Sequence, residues 1–402
     1  SAFQLDVKKE ILPYDLYTEE NVDKKYIDKD VCLKYVKKED QAEYLENCKR
    51  WGCFSGDKID IHKYSGEYCF MDCITLRDGY EKFRSNVDEA IGLDIRNYMS
   101  LPSMANDYLV REGCYEDVLK ISGVPRHFIQ NCVVGGRVMC RNNQKQKVTT
   151  QPLADFDAVS LYPSAMARMS GFLKGRPKVI TDFDAIYNTA DGFYVQVKIT
   201  RVGKNYNFPC ASIKTDEGIR QFTNDLVGKT IYTDNIALAD LVKFQDVEFE
   251  FVKGYYYDEG FQTKIKETIE HVFQQRLKYK KLNNPLQLVF KELMNSSYGK
   301  TCLKPIDTDN VYVSVKDWDK YMLRNYNYIK EAVLVGTGMF MKVKKIKTID
   351  QHFNNVHIGV SILSTSKTIM YEVMVTAEDM GIDMYYTDTD SIHIDNSKIQ
   401  LL

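Results

Sequence analysis

Two pairs of carboxylates have the spacing and setting to do chemistry: Asp155 with Asp157, and Asp388 with Asp390. The first pair lies in Asp155-Phe156-Asp157-Ala158-Val159-Ser160-Leu161-Tyr162-Pro163-Ser164, which reads as a strand running into a turn. The second lies in Tyr385-Tyr386-Thr387-Asp388-Thr389-Asp390-Ser391-Ile392, again among strand formers. If that segment is extended, Asp388 and Asp390 project to the same side, because side chains alternate along a strand. Acids inside otherwise apolar strands are costly unless paired or bound to metal. Two such strands side by side would concentrate negative charge. Divalent cations with oxygen ligands relieve it, typically Mg²⁺, with Mn²⁺ as a substitute. Two ions about 3.5–4 Å apart can activate an attacking hydroxyl and stabilise a leaving pyrophosphate. A single Asp-x-Asp reads as well as a turn or a cap; the two together point to metal.

A second constellation suits phosphate. Lys291, Asn295 and Tyr298 fall at i, i+4 and i+7 and share one helical face, while Leu286, Phe290 and Leu293 lie mainly on the other. A cation, an amide and an aromatic ring in one row match the phosphate, sugar and base of a nucleotide. In the preceding helical stretch Ile265, Ile269 and Val272 form an apolar stripe that Arg276 and Lys280 continue. Cations at core positions call for an anionic partner, such as a triphosphate, to which arginine offers a fork. A helix end emerging into solvent explains them equally well.

The elements that must position these groups can be read coarsely. Residues 153–158, 193–200 and 247–252 read as strands, as does a pair over 384–394. Residues 264–282 and 286–298 read as helices, with Asn284 as N-cap and Pro285 as first helical residue. A helix over 361–380 ends at Gly381. Tyr64 to Phe83 suggests one helix, and 103–130 is mixed and helical. Gly135-Gly136 breaks a short apolar run, and Asn142–Thr150 reads as a polar loop. Residues 1–60 are charged and tyrosine-rich with weak periodicity. The 93-residue spacing from Asn295 to Asp388 has a polar middle that reads as an insertion.

The bulk numbers suit a globular protein of two or three domains: 402 residues, 44% hydrophobic and 27% charged. No apolar run is long enough to span a membrane, and no export leader is visible, so no membrane partner and an intracellular setting are expected. The chain starts Ser1-Ala2-Phe3 rather than with Met, which suggests a fragment. Ten cysteines without paired metal spacing read as reduced thiols. A net charge of −2 counts mildly against nucleic acid. Acids gathered at a metal site would mask local basic clusters such as Arg276 to Lys281 and Lys342 to Lys347.

Taken in order, three segments resemble the signature of family B DNA polymerases. Asp157-x-x-Ser160-Leu161-Tyr162-Pro163-Ser164 resembles the first palm motif, Lys291-x-x-x-Asn295-Ser296-x-Tyr298-Gly299 the fingers motif, and Tyr386-x-Asp388-Thr389-Asp390-Ser391 the second palm motif. The resemblance covers about residues 60–394. It implies an α+β fold, with a palm of antiparallel sheet and helices, helical fingers, and the remnant of an exonuclease domain before them. It implies that Asp157 and Asp390 ligate two metal ions, with the backbone carbonyl of Ala158 as a further ligand and Asp388 as a supporting acid. Tyr162 would lie under the sugar and exclude a 2′-hydroxyl. Lys291 and Arg276 would contact the triphosphate, Lys280 less directly, and Asn295 and Tyr298 would line the nascent base pair. Asp155 receives no role and reads as structural.

Tyr68-Cys69-Phe70-Met71-Asp72 resembles the family's third exonuclease motif, although a helix with a surface Asp72 fits as well. Its first two exonuclease motifs are not found upstream, so no complete proofreading site is expected. Gly135-Gly136 resembles the Tyr-x-Gly-Gly element that links the exonuclease and polymerase domains, with Val133 in place of the tyrosine, and the resemblance implies that the pair contacts template. The spacing of 134 residues from Asp157 to Lys291 leaves room for an inserted subdomain, which points to the protein-primed branch. In that branch a terminal protein joins template-primer DNA and deoxynucleoside triphosphates as partners. The implied division is an exonuclease-like part over 1–130, a linker and first palm segment over 131–170, and palm strands with the terminal-protein-contacting insertion over 171–260. Fingers follow over 261–300, a second insertion over 301–355, and the closing palm over 356–402, with no thumb after it. Two alternatives stay open. One is an incomplete fragment that only binds DNA or a partner protein; the other is a metal nuclease, for which Arg276, Lys291 and Asn295 would be surplus.

Overall fold

A computed structural model of the protein describes residues 10–145 and 152–401. The opening Ser1-Ala2-Phe3 and the 146–150 part of the expected loop lie outside the described residues. The chain divides into two units, one comprising Ser1–Asn97 with Arg276–Val289, the other Tyr98–Gln275 with Phe290–Leu402.

In the first unit, the weak periodicity before residue 60 reflects elements too short to show a repeat. Three short antiparallel strands, Tyr26–Asp28, Lys58–Asp60 and Phe54–Ser55, and a helix over Gln41–Arg50 surround a core that includes Leu16, Ile27, Tyr44, Cys48, Ile59 and Tyr64. A 31-residue helix, Ile61–Ile91, follows. It overruns the expected 64–83 at both ends, and its stop signals are local. The Asp60 side chain accepts from the Lys63 N–H at 3.0 Å, and Gly92 takes the left-handed conformation at φ 64°.

The second unit carries the sheet that holds the carboxylates. Its strands are β1 (Val138–Cys140), β2 (Leu153–Asp157), β3 (Met384–Asp388) and β4 (Ser391–Asp395). Helices α1 (Leu161–Arg168) and α4 (Val356–Asp379) contribute to its core, and α2 (Lys264–Lys281) and α3 (Leu286–Ser296) carry the basic motifs. The sheet order is β1-β3-β4-β2, antiparallel throughout. Alternation turns Leu153, Asp155 and Asp157 to solvent and Ala154 and Phe156 inward. The inner face packs Met139, Phe156, Ile392 and Ile394 against Met370, Met374 and Ala377 of α4. Helix α4 begins five residues earlier than the expected 361, and Gly381 follows it at φ 71°.

A second antiparallel sheet orders Thr230–Asp234, Gly192–Val202, Val247–Tyr257 and Lys178–Val179, with the helix Asn235–Gln245 packed on it through Leu238, Leu241 and Phe244. The polar middle after α3 holds a third, formed by Thr308–Ser314, Phe340–Ile346 and Ile329–Val335. Its alternation is real but weak, because few residues such as Val343 are fully buried. The α+β class is thus seen directly. Between α2 and α3, the Asn284 side chain accepts from the Leu286 N–H at 2.9 Å, as its place before Pro285 predicts.

Candidate functional site: carboxylates at the β3–β4 turn

The expected extended run through Asp388 and Asp390 does not form. Asp388 ends β3, Ser391 begins β4, and Thr389-Asp390 makes the hairpin turn between them. Thr389 sits at φ 57°, so the period-two rule stops at Asp388 and does not place Asp390. The signal was in the sequence: Asp-Thr-Asp-Ser is as good a turn as a strand.

Three fastenings set that turn. The Thr389 N–H donates to the Arg137 carbonyl at 2.7 Å, and the Asp390 N–H to the Asp388 carbonyl at 2.6 Å. The Ala158 N–H donates to the Asp390 carbonyl at 2.7 Å, which ties the end of β2 to the turn. Gly136 lies so close that an added Cβ would stand 2.5 Å from the Thr389 hydroxyl oxygen. Gly135, by contrast, has open space around it.

Register aligns the acids. Asp157 pairs with Ser391, and Ser391 with Asp388, so Asp157 and Asp388 flank Ser391 on the exposed face, two strand spacings or about 10 Å apart. Asp390 projects from the turn. Its carboxyl is pushed above the ordinary range by partial burial, then by the negative charge of Asp157, and less by that of Asp388. Asp155 does not join them. It holds His393 Nδ1 at 2.8 Å, and the His393 ring meets that of Tyr386 edge-on at 5.1 Å. His393 is the residue that gives Asp155 its structural place.

The aromatic members of the two other motifs meet. Tyr162, on α1, stacks on Tyr298, just past the end of α3, with ring centroids 4.1 Å apart and planes at 29°. The Tyr162 hydroxyl is pushed up by burial, then by Tyr298, then by Asp390, which places the ring pair in the field of the carboxylates. Lys291 is half-buried and Asn295 exposed on α3, whose other side buries Leu286, Phe290 and Leu293 as expected. Arg276 is half-buried and Lys280 exposed in the last turns of α2. They belong to the first unit, and Lys291, Asn295 and Tyr298 to the second.

On the long first-unit helix, Tyr68 is buried, with its hydroxyl 3.2 Å from that of Tyr14. Its hydroxyl is pushed up by that contact, by burial and by Asp72 one turn on. Asp72 joins no group of three metal-ligating side chains among the described residues.

Sequence reading missed the support beneath the glycine pair. The Lys367 ammonium, buried in α4, donates to the Val134 carbonyl at 2.7 Å and the Leu363 carbonyl at 2.8 Å, and burial pulls it down to about 8. Buried Arg137 donates to the carbonyls of Phe208 and Pro209 and lies over the rings of Phe222 and Tyr371. Asp240 and Asp234 lie nearby, pushed up by burial to about 7 and about 6; they accept from Thr368 and Ser364 of α4. A lysine in the buried stripe of α4 was the available clue.

The donor set fits a hard divalent cation. The groups that converge are carboxylates, and the repulsion felt by Asp390 is what such an ion would relieve. No group of three His, Cys, Asp or Glu side chains closes around a point among the described residues.

Residues 1–380 match the family described as DNA polymerase type B, organellar and viral. The chain is 24% identical over 409 aligned residues to a probable DNA polymerase of Neurospora intermedia, covering 98% of this chain and 40% of that protein. It is 25% identical over 364 residues to one of Ascobolus immersus, covering 89% of this chain and 28% of that protein. The chain therefore spans well under half the length of these relatives. Among solved structures, Phi29 DNA polymerase bound to primer-template DNA aligns at TM-score 0.49 and 16% identity, over 74% of this chain and 48% of that one. No helix among the described residues is long and apolar enough to cross a membrane.

Proposed function

Because the chain belongs to the organellar and viral type B DNA polymerases, we propose that it carries the nucleotidyl-transfer site of a DNA-templated DNA polymerase that extends a primer 3′ end. The observation that carries this reading is the convergence of Asp157 and Asp390 at the β3–β4 turn, beside the Tyr162–Tyr298 stack. Asp157, Asp390 and the Ala158 carbonyl would hold two Mg²⁺ ions, and Asp388 supports them from the neighbouring strand. When bound, the ions activate the primer hydroxyl and neutralise the leaving pyrophosphate. The chain's own work is positioning. Tyr162 presents a flat ring to the sugar and leaves no room for a 2′-hydroxyl. Lys291 contacts the triphosphate, a role the resemblance also gives to Arg276 and Lys280, and Asn295 and Tyr298 border the nascent base pair. Gly135 and Gly136 give the template strand a close approach to backbone.

Template-primer DNA and deoxynucleoside triphosphates are the partners this chemistry requires. The strands over 171–260 and the small sheet within 301–355 are the two insertions of a protein-primed enzyme, the first of them the contact for a terminal protein. Residues 61–91 carry what remains of an exonuclease motif in Tyr68 and Asp72.

The test is Mg²⁺-dependent extension of a labelled primer. Asp157→Asn is expected to lower incorporation at least about a hundredfold, the scale on which one electrostatic group at a transition state acts. It removes a charge that repels Asp390, so the fold should be as stable as before or more so. Undiminished incorporation by a folded Asp157→Asn protein would refute the assignment.

A further inference from the structure

Gly359 stands in the first turn of α4, where alanine would make the better helix. The reason for glycine is steric. The chain that follows Tyr298 presses on it: a Cβ at position 359 would overlap the Cys302 sulfur and stand 2.7 Å from the Thr301 hydroxyl oxygen. No methyl group fits there unless that segment moves.

That segment carries Tyr298, and its hold on the ring is specific. Thr301 is buried, and its N–H and its hydroxyl both donate to the Tyr298 carbonyl, at 3.0 and 2.6 Å. The residue before the ring is fixed as well. The hydroxyl of buried Ser297 donates to the Met294 carbonyl at 2.7 Å and lies 3.7 Å from the Met166 sulfur of α1, the helix that bears Tyr162. Tyr298 itself is only half-buried, so its clasped backbone does most to set where its ring meets Tyr162. Cys302 lies near enough to Tyr162 to be one of the groups that push its hydroxyl up, after burial, Tyr298 and Asp390. The same helix α4 also backs the carboxylate sheet, through Met370, Met374 and Ala377. One helix thus serves as the reference for both the metal turn and the ring pair.

We propose that Thr301 and Gly359 are positioning residues for the Tyr162–Tyr298 pair. The Thr301 clasp fixes the Tyr298 backbone, and the bare Cα of Gly359 is the seat that lets the clasp close against α4. The ring so placed braces Tyr162, whose tilt sets the room left at the 2′ position of the sugar. That last step rests on the polymerase reading and the role it gives Tyr162; the clasp does not.

Two measurements separate the clasp from the reading it serves. The first is the ratio of kcat/KM for a ribonucleotide to that for the matching deoxyribonucleotide, in Mg²⁺-dependent primer extension. A general weakening of the fold lowers both and leaves the ratio alone. Thr301→Val keeps the side-chain shape and removes the hydroxyl; it and Gly359→Ala are each expected to raise the ratio about tenfold, the low end of what one group in a pocket contributes to discrimination. Thr301→Ser keeps the hydroxyl and is expected to hold the wild-type ratio. The second measurement needs no turnover. The coupling between Tyr162→Leu and Tyr298→Leu is taken from the stabilities of the two single variants and the double. It is expected in the wild-type background and lost in the Thr301→Val background. A wild type that extends no primer, with the coupling lost in Thr301→Val, would refute the polymerase reading and leave the positioning in place. If Gly359→Ala does not fold, the Thr301 variants decide. A ratio not raised in Thr301→Val, an equal rise in Thr301→Ser, or a coupling that survives Thr301→Val would overturn the proposal.

Discussion

At the scale of single residues, the site is a problem in like charge. Asp157, Asp388 and Asp390 share one end of a sheet, and Asp390 bears the cost. A group in this position is held there by backbone rather than by its own interactions, which is why the turn is fastened through Arg137, Asp388 and Ala158. The ring pair next to it makes a separable prediction. Tyr162→Ala should raise the use of ribonucleotides relative to deoxyribonucleotides, read from paired incorporation assays, while Tyr298→Ala should cost about 0.5–1.5 kcal/mol of stability from removal of the stack, beyond area effects. Equal discrimination in the Tyr162 variant would remove that residue from sugar selection. The carboxylates and Tyr298 were legible because type and spacing carry them, and Tyr162 through the resemblance of its motif. The pairing of Asp155 with His393 was not, since it joins positions far apart in sequence through register alone.

At the scale of elements, the glycine pair offers the sharpest contrast. Gly136→Ala should displace the Thr389 side chain and with it Asp390, weakening protein-bound Mn²⁺ in a protein that still folds; Gly135→Ala, with space around it, should leave the turn and the bound Mn²⁺ as in wild type. Equal effects of the two would mean that the packing of Gly136 on Thr389 does not set the turn. At the start of α3, Asn284→Ala should cost about 1 kcal/mol, the usual value of a side-chain N-cap, measurable by chemical denaturation. Such caps were readable in advance, as were the strands around β2 and the β3–β4 pair. The turn inside Thr387–Ser391 was missed because strand propensity and turn chemistry compete there, and the closure of β3 on β4 decides between them. The three-stranded sheet within 301–355 read only as a polar middle, since a sheet with so little buried surface leaves a faint pattern.

At the scale of the molecule, buried charge under the palm sheet ties stability to pH. Asp240 and Asp234 are neutral at pH values where the unfolded chain has already lost their protons, because burial raises them to about 7 and about 6. The folded state therefore binds more protons between about pH 4 and 7, so their contribution is present at the acid end and is lost as pH rises. Lys367 acts at the other end. Its folded value of about 8 lies below the unfolded one, so it makes stability rise with pH above about 8. Asp240→Asn should shrink the loss of stability between pH 5 and pH 8, read from denaturation midpoints; an unchanged difference would show that Asp240 is ionised throughout. None of this cluster was visible in the sequence, because burial of a charge depends on the assembled core.

The central claim is that Asp157 and Asp390 hold the same cations although 233 positions separate them. Mn²⁺ binding followed by electron paramagnetic resonance in the presence of a deoxynucleoside triphosphate tests it most directly. Asp157→Asn and Asp390→Asn are each expected to abolish the same protein-bound Mn²⁺ signal. Variants that each keep wild-type stoichiometry and affinity, or that lose different ions independently, would contradict it.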